Sequence, residues 1–162
     1  MIYYVPTKIH FGNKTLNELE GLVKEYNPNN IFLITGKSFV KKSGLQNKVL
    51  SLLKNYEIFI YDKVNPVPKL EEINNAINEA KKYETDLIIG LGGGSVLDTS
   101  KIVSVMLKNE SKILGYHNHK KIENKGVTLI AIPTSAGTGS EVTPFATFYY
   151  NNRKKSFGGI ED

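Results

Sequence analysis

The chain has 162 residues, of which 40% are hydrophobic and 23% are charged, and its formal net charge is +5. This length suits one domain with a sizeable core, and the absence of cysteine excludes disulfides, thiolate metal sites and thiol nucleophiles. No apolar run approaches the roughly 20 residues of a membrane span, and the N-terminus has no signal-peptide pattern. We therefore expect a cytoplasmic protein without a membrane partner.

The basic residues form short clusters that raise the question of a nucleic-acid partner. The clusters are Lys41-Lys42, Lys81-Lys82, Lys120-Lys121 and Arg153-Lys154-Lys155. A nucleic-acid module would also show interleaved aromatic residues and a recognisable motif, and neither is evident. We expect most of these lysines to be solvated, some to serve a smaller anion, and no nucleic acid to be bound.

Six runs of residues predict β-strands. In chain order they are Lys8–Gly12, Asn30–Gly36, Glu57–Tyr61, Asp86–Gly92, Val127–Pro133 and Phe145–Tyr150. The second, fourth and fifth are continuously apolar, which is typical of parallel strands that helices cover on both faces. The sequence therefore favours a buried, mainly parallel sheet.

Helical patterns lie between these strands. They cover Lys14–Tyr26, Gln46–Lys54, Lys69–Tyr83 and Val96–Lys108. A stiff turn at Asn65–Pro68 separates a strand from a helix, and a hairpin turn is predicted within Tyr149–Lys154. Strands that alternate with helices predict an α/β fold, here one Rossmann-like dinucleotide-binding domain over residues 1–162 with a small antiparallel hairpin.

The stretch DLIIGLGGGSVLDTSK, Asp86–Lys101, places three glycines between an apolar strand and a helix. Ser95 and Asp98 have the spacing of a capping box, which predicts that the helix starts at Ser95. A helix N-terminus without blocking side chains is a ready anion site. The alternative is a glycine-rich turn that only lets the strand and the helix pack closely, and this segment alone leaves both readings open.

A second loop favours the anion site. After the strand VTLIAI the chain reads PTSAGTGSEVT, Pro133–Thr143, which holds five hydroxyl side chains and two glycines. Ligands of open α/β sheets bind at the carboxyl ends of the strands. We therefore expect the two loops to meet at that edge and to contact one anionic ligand.

These motifs resemble the iron-dependent, or group III, alcohol dehydrogenases, a family that includes glycerol dehydrogenase and dehydroquinate synthase relatives. GGGSVLDTSK, Gly92–Lys101, is similar to the family's pyrophosphate loop, and AIPTSAGTGSEVTPFATF, Ala131–Phe148, is similar to its second nucleotide loop. The opening YYVPTKIHFG and Asn65-Pro66 add to the likeness. The resemblance covers the whole chain but only the N-terminal half of the family's pattern, without its C-terminal helical domain.

The resemblance implies a set of cofactor-binding residues. Gly93, Gly94 and Ser95 would hold the pyrophosphate, Asp98 would lie near the nicotinamide, and Asn65 would lie beside the adenine ribose. The remaining residues implied along the cofactor are Thr134, Ser135, Thr138 and Lys155.

The resemblance also bears on the choice between NAD and NADP. In NAD-using members an aspartate often stands where this chain has Gly36, and that carboxylate repels a 2′-phosphate. Ser38 can donate a hydrogen bond, and Lys37, Lys41 or Lys42 can supply positive charge. We therefore expect NADP to be favoured over NAD, unless these lysines face solvent.

The metal is the main departure from the family. Its members bind a divalent cation, Fe²⁺ or Zn²⁺, through an aspartate and histidines of the C-terminal helical domain, and we expect residues 1–162 to contain neither catalytic nor metal-binding residues. His10 lies in a predicted strand. His117 and His119 lie in GYHNHKK without a carboxylate cluster and are interpreted as a solvated loop. Glu161 and Asp162 look like a linker.

Two functions from different classes follow. The first is the cofactor-binding part of a metal-dependent alcohol dehydrogenase or aldehyde reductase, an enzyme that transfers hydride between a nicotinamide cofactor and an alcohol or aldehyde. We expect this part to be inactive without the helical domain, and we expect that the enzyme can form a homodimer. The alternative is a non-catalytic nucleotide-binding module. The sequence does not identify the substrate.

Overall fold

A computed structural model describes residues 6–110, 112–117 and 122–158 of the chain. Its main sheet has four parallel strands, β1 (Asn30–Gly36), β2 (Glu57–Val64), β3 (Leu87–Gly92) and β4 (Thr128–Pro133), in the order β2-β1-β3-β4. Two further strands, β5 (Ala146–Tyr150) and β6 (Arg153–Phe157), form an antiparallel hairpin. The predicted α/β class, the parallel sheet and the hairpin are confirmed.

The helices lie between the strands, as the sequence predicts. They are a 3₁₀ turn (Thr15–Glu18), α1 (Leu19–Tyr26), α2 (Phe39–Lys42), α3 (Leu45–Leu52), α4 (Leu70–Lys82), α5 (Gly94–Met106) and α6 (Ile113–His117). None of the helices in the described ranges is long and apolar enough to cross a membrane.

The continuous apolar runs are explained by a core on each face of the sheet. In β1, Ile31 and Leu33 face one core, which α1 and α3 cover, while Phe32 and Ile34 face the other, with α4, α5 and the hairpin. Successive strand residues point to opposite faces, so a strand buried on both faces must be apolar at every position. All six residues of β3 are buried for the same reason.

Two glycines of β3 allow α5 to pack closely against the sheet. A Cβ atom at Gly90 would lie 2.6 Å from the Ser100 Oγ, and one at Gly92 would lie 2.7 Å from the Val96 Cγ2. Every residue of α5 from Val96 to Met106 is buried. Gly90 and Gly92 therefore serve the close packing of strand and helix, as one of the two sequence interpretations predicts. This packing does not explain why residues 93 and 94 are also glycines.

The hairpin docks against the turn that follows β2. Its own turn has φ values of 50° at Asn151 and 55° at Asn152, the left-handed pair that two-residue hairpin turns require and that asparagine tolerates. The Tyr149 amide donates a hydrogen bond to the Pro68 carbonyl at 2.9 Å. β5 also packs against α5, where the Thr147 amide donates to the Asp98 carboxylate at 3.0 Å, so the hairpin covers a face of α5 that the main sheet does not.

The predicted strand at Lys8–Gly12 is wrong. These residues form no strand, and the side chains of Ile9 and Phe11 are 63% and 96% exposed. Two contacts hold the segment near α1, one from Lys8 to Glu25 at 3.3 Å and one from His10 to Glu18 at 3.1 Å. A short apolar run becomes a strand only where another strand offers hydrogen bonds, and no described strand lies beside this one.

Gly90→Ala tests the packing of α5. The added methyl group would collide with Ser100, so we expect the free energy of unfolding to fall by about 1 to 3 kcal/mol. The control is Gly21→Ala in α1, where a Cβ would meet nothing within 4 Å and where alanine is favoured over glycine by about 0.5 to 1 kcal/mol. Urea denaturation measures both, and equal stability of the two variants would contradict the packing account.

Candidate functional site

A cleft of about 320 Å³ lies at the carboxyl ends of the four parallel strands. Its wall includes Gly36 at the end of β1, the segment 64–66 at the end of β2, the segment 92–96 from the end of β3 into α5, and Thr134 directly after β4. The strand order reverses between β1 and β3, because β2 is added on one side of β1 and β3 on the other. Ligands of open α/β sheets bind at such a topological switch point. The cleft is therefore the candidate site.

The two glycine-rich loops meet at this edge of the sheet, as predicted. The Thr134 amide donates to the Gly92 carbonyl at 2.9 Å, which joins the starts of the loops. A Cβ at Gly93 would lie 3.1 Å from the Ser135 Oγ, and one at Gly94 would lie 3.1 Å from the Thr138 Cγ2. These two glycines thus leave room for the second loop, rather than for the strand or the helix.

The helix that opens on the cleft starts earlier than predicted, with its N-cap two residues before Ser95. Gly93 is the N-cap residue and α5 begins at Gly94, so Ser95 is not the cap. The Ser95 hydroxyl instead donates to the Pro66 carbonyl at 2.6 Å and joins two walls of the cleft. The Val96 and Leu97 amides donate to the Gly93 carbonyl, and the Gly94 and Ser95 amides lie at the positive end of the helix dipole, an arrangement that suits an anion.

The carboxylate of Asp98 faces the hairpin and has no capping role. Its Oδ2 accepts hydrogen bonds from the Thr147 amide at 3.0 Å and from the Thr147 hydroxyl at 2.9 Å. Asp98 is 7% exposed. The capping-box interpretation of Asp98 is wrong, because the side chain binds a strand that lies 49 residues further along the chain.

Lys101 is buried beside Asp98. Its Nζ lies 3.1 Å from the Asp98 Oδ1 and donates to the carbonyl groups of Thr143, at 3.2 Å, and Phe145. Burial lowers the pKa of Lys101, while the charges of Asp98 and then Glu141 act in the opposite direction. Neither Lys101 nor Thr147 is marked as a site residue by its sequence pattern, and only their contacts with Asp98 connect them.

Most of the predicted cofactor-binding residues line the cleft. Those in its wall are Gly36, Ser38, Asn65, Gly93, Gly94, Ser95 and Thr134, together with Lys37 and Phe39, to which the prediction gave less weight or none. The sequence gives no indication that Phe39 belongs to a site, because a single apolar residue after a strand is usually part of the core. In the structure its side chain is 60% exposed.

The other five predicted residues lie outside this wall. Ser135 and Thr138 stand behind it against the glycines, and Asp98 faces the hairpin. Lys41 lies 3.4 Å from the Asp62 carboxylate, and Lys155 is half-buried in β6 opposite Phe148. Within the wall, the Asn65 amide group donates to Glu72, so part of its hydrogen-bonding capacity is already used.

The described part of the chain supplies no metal site. No three side chains of histidine, aspartate or glutamate come together among residues 6–110, 112–116 and 122–158. His119 and the side chain of His117 lie outside the described residues, as do Glu161 and Asp162. The interpretation of GYHNHKK as a solvated loop is wrong for residues 115–117, which belong to α6 and include the buried Tyr116, and it stays a prediction for His119.

Ser95→Ala tests the link between the cleft walls. The variant loses the bond to the Pro66 carbonyl, and we expect the free energy of unfolding to fall by about 1 kcal/mol. Ser38→Ala is the control, because Ser38 is exposed and its hydroxyl makes no capping bond. Chemical denaturation should show a clearly smaller loss for Ser38→Ala, and equal losses would mean that the Ser95 bond adds nothing.

The fold and the two loops can be compared with those of known proteins. A model of the iron-containing alcohol dehydrogenase family matches residues 6–161. Long-chain-alcohol dehydrogenase 1 of Geobacillus thermodenitrificans is 38% identical over 85% of this chain and 36% of its own length. Sulfoacetaldehyde reductase of Bilophila wadsworthia is 35% identical over 88% of this chain and 37% of its own.

Solved structures agree with this assignment. NADH-dependent butanol dehydrogenase A of Thermotoga maritima superposes with a TM-score of 0.90 at 27% identity, over 98% of this chain and 41% of its own length. The chain thus spans about two fifths of the length of the relatives that it matches. Its fold, its paired loops and the family match together show that the chain belongs to the iron-containing alcohol dehydrogenase family.

Proposed function

We propose that this chain forms the nicotinamide-nucleotide-binding part of an enzyme that transfers hydride between the cofactor and an alcohol or aldehyde. The observation that carries the proposal is the cleft at the N-terminus of α5, where Gly93 and Gly94 expose backbone and the second loop packs against them. A pyrophosphate needs such a surface, with amide donors, a positive helix end and no side chain in the way.

The residues of the cleft fit the rest of a dinucleotide. Ser38, Asn65 and Thr134 offer polar groups along its wall, and Lys37 offers positive charge at its edge. When bound, a nicotinamide cofactor supplies the group that accepts or gives the hydride. The task of this chain is to hold that cofactor in one orientation.

The relatives support the reaction class. Their names describe a long-chain alcohol dehydrogenase, a sulfoacetaldehyde reductase and an NADH-dependent butanol dehydrogenase. All three act on an alcohol or an aldehyde. A cytoplasmic location and assembly as a homodimer, both expected from the sequence, remain predictions for the whole protein.

The described residues do not fit a catalytic metal. Iron-containing relatives imply a cation, but no cluster of three potential ligands exists in the described part of this chain. The proposal for residues 1–162 is cofactor binding, without turnover of alcohol by the chain alone.

Gly94→Val tests the site of the pyrophosphate. A branched side chain at this position would press on Thr138, whose methyl group would lie 3.1 Å from the added Cβ atom, and would push the second loop away from the pyrophosphate loop. We expect the dissociation constant for NADH and NADPH, measured by calorimetry, to rise about ten-fold or more.

The control for this variant is Gly21→Val, which makes the same change on the open side of α1. It should leave the dissociation constant unchanged. A folded Gly94→Val variant with wild-type affinity would show that the glycine loop serves packing only.

We further propose that the cleft prefers NADP(H) to NAD(H). Gly36 ends β1 in the wall of the cleft, beside Lys37 and Ser38. No carboxylate stands at this position to repel a 2′-phosphate. Lys41 pairs with Asp62 and lies outside the wall of the cleft, so Lys37 is the main source of positive charge.

Gly36→Asp should shift the preference toward NAD(H). A Cβ at Gly36 would make ordinary contacts, 3.7 Å to the Val64 carbonyl and 3.8 Å to the Val96 Cγ2, so the fold should tolerate the change. We expect the ratio of the two dissociation constants to move by about ten-fold or more, because the new carboxylate repels the 2′-phosphate.

Titration of both cofactors at fixed ionic strength measures this ratio, with Gly36→Ala as the matched control for the added methylene. The control should keep the wild-type ratio. Tighter binding of NAD(H) than of NADP(H) by the wild-type chain would defeat the proposed preference.

A further inference from the structure

We propose that the buried pair Asp98 and Lys101 positions the second nucleotide loop, residues 134–143, against the pyrophosphate loop. Both side chains project from α5 one helical turn apart, and neither lines the cleft. They are thus positioning residues that act through the loop. The effect on cofactor binding rests on the proposed function, whereas the effect on the loop does not.

Lys101 holds the end of the second loop. Its ammonium group donates to the Thr143 carbonyl at 3.2 Å, to the Thr143 hydroxyl at 3.4 Å and to the Phe145 carbonyl. A lysine ammonium has three protons and no acceptor, so these three bonds use all of its hydrogen-bonding capacity, and its contact with the Asp98 Oδ1 at 3.1 Å is an ion pair. One side chain thereby binds the backbone of Thr143 and of Phe145, at the end of the loop.

Asp98 links α5 to the hairpin in the same way. Its Oδ2 accepts from both the amide and the hydroxyl of Thr147, and its Oδ1 lies 3.1 Å from the Lys101 Nζ. The pair therefore ties residues 143, 145 and 147 to α5. The other end of the loop is tied to β3, where the Thr134 amide donates to the Gly92 carbonyl.

The middle of the loop has little else to define its position. The backbone bonds that the structure gives there are local, from the Ser140 amide to the Thr138 hydroxyl and from the Val142 amide to the Gly139 carbonyl. The segment Ser135–Thr138 is exposed, and Gly137 and Gly139 have positive φ. Apart from the packing of Ser135 and Thr138 against Gly93 and Gly94, the loop is therefore held mainly by its two ends.

The cost of the pair favours this role over simple stabilisation. Asp98 and Lys101 are 7% and 8% exposed. A buried ion pair is weak evidence for stability, because apolar residues of similar size are often at least as stabilising. What apolar residues cannot replace here is the set of donors to two carbonyl groups. Position, rather than stability, is the property that the pair uniquely provides.

The experiment compares hydrogen exchange and cofactor binding in variants of the 162-residue chain. Lys101→Met removes the donors at similar length but leaves the Asp98 charge buried. The double variant Asp98→Asn with Lys101→Met removes both charges and keeps an acceptor for Thr147. It leaves no unpaired buried charge, so it should still fold if Lys101→Met alone does not. Ser104→Ala is the control, because Ser104 is buried on the same helix but donates to Val127, away from the loop.

We expect the double variant to exchange amide protons of residues 134–147 about ten-fold faster than wild type, with NADPH binding weakened by a similar factor, because an unfastened loop spends less time in its binding form. Its stability in urea should stay closer to wild type than that of Lys101→Met. Ser104→Ala should lose stability without either change.

Unchanged exchange across residues 134–147 in the double variant would overturn the positioning role. So would an increase of equal size in Ser104→Ala. If the wild-type chain binds neither NADH nor NADPH, the proposed function fails, and the exchange measurement still decides whether the pair positions the loop.

Discussion

The close contact between α5 and β3 is the constraint on which the rest of the structure depends. It exists because Gly90 and Gly92 present no side chain to the helix, so that Ser100 and Val96 reach the strand backbone. The contact fixes the direction of α5, and therefore the place where its first turn opens. It also leaves the opposite face of the helix for the hairpin to cover.

A helix that is buried on nearly every side must find hydrogen-bond partners for its polar side chains within the protein. In α5 the choice of partners shapes the cleft. Thr99 and Ser100 donate to carbonyl groups of the preceding helical turn. Ser104 reaches the segment before β4, and Asp98 and Lys101 reach the hairpin and the second loop. Buried polar groups are costly unless they are bonded. The polar residues of this helix consequently connect it to the segments that surround the site.

The parts of the fold that follow from local pattern could be predicted from the sequence. The strands at Asn30–Gly36 and Asp86–Gly92 are apolar at nearly every position, because both faces are covered, and α4 shows its buried stripe plainly. The hairpin turn is visible in its two asparagines. The segment Lys8–Gly12 has the composition of a strand, but composition does not report whether a partner strand exists.

The parts of the site that depend on distant partners could not be predicted. Ser95 has the spacing of a helix cap, yet its hydroxyl bonds Pro66, 29 residues away. Asp98 and Lys101 find partners 42 to 49 residues away. The glycine run has two purposes that its sequence does not separate, since Gly90 and Gly92 admit α5 while Gly93 and Gly94 admit the second loop.

The central claim is that both loops bind one nicotinamide nucleotide, and amide chemical-shift mapping tests it most directly. In ¹H–¹⁵N spectra of the labelled chain titrated with NADPH, the largest shifts should fall on Gly93, Gly94 and Ser95 and on residues 134–138, and they should saturate together. Saturating shifts on another surface, or on one loop alone, would contradict the account.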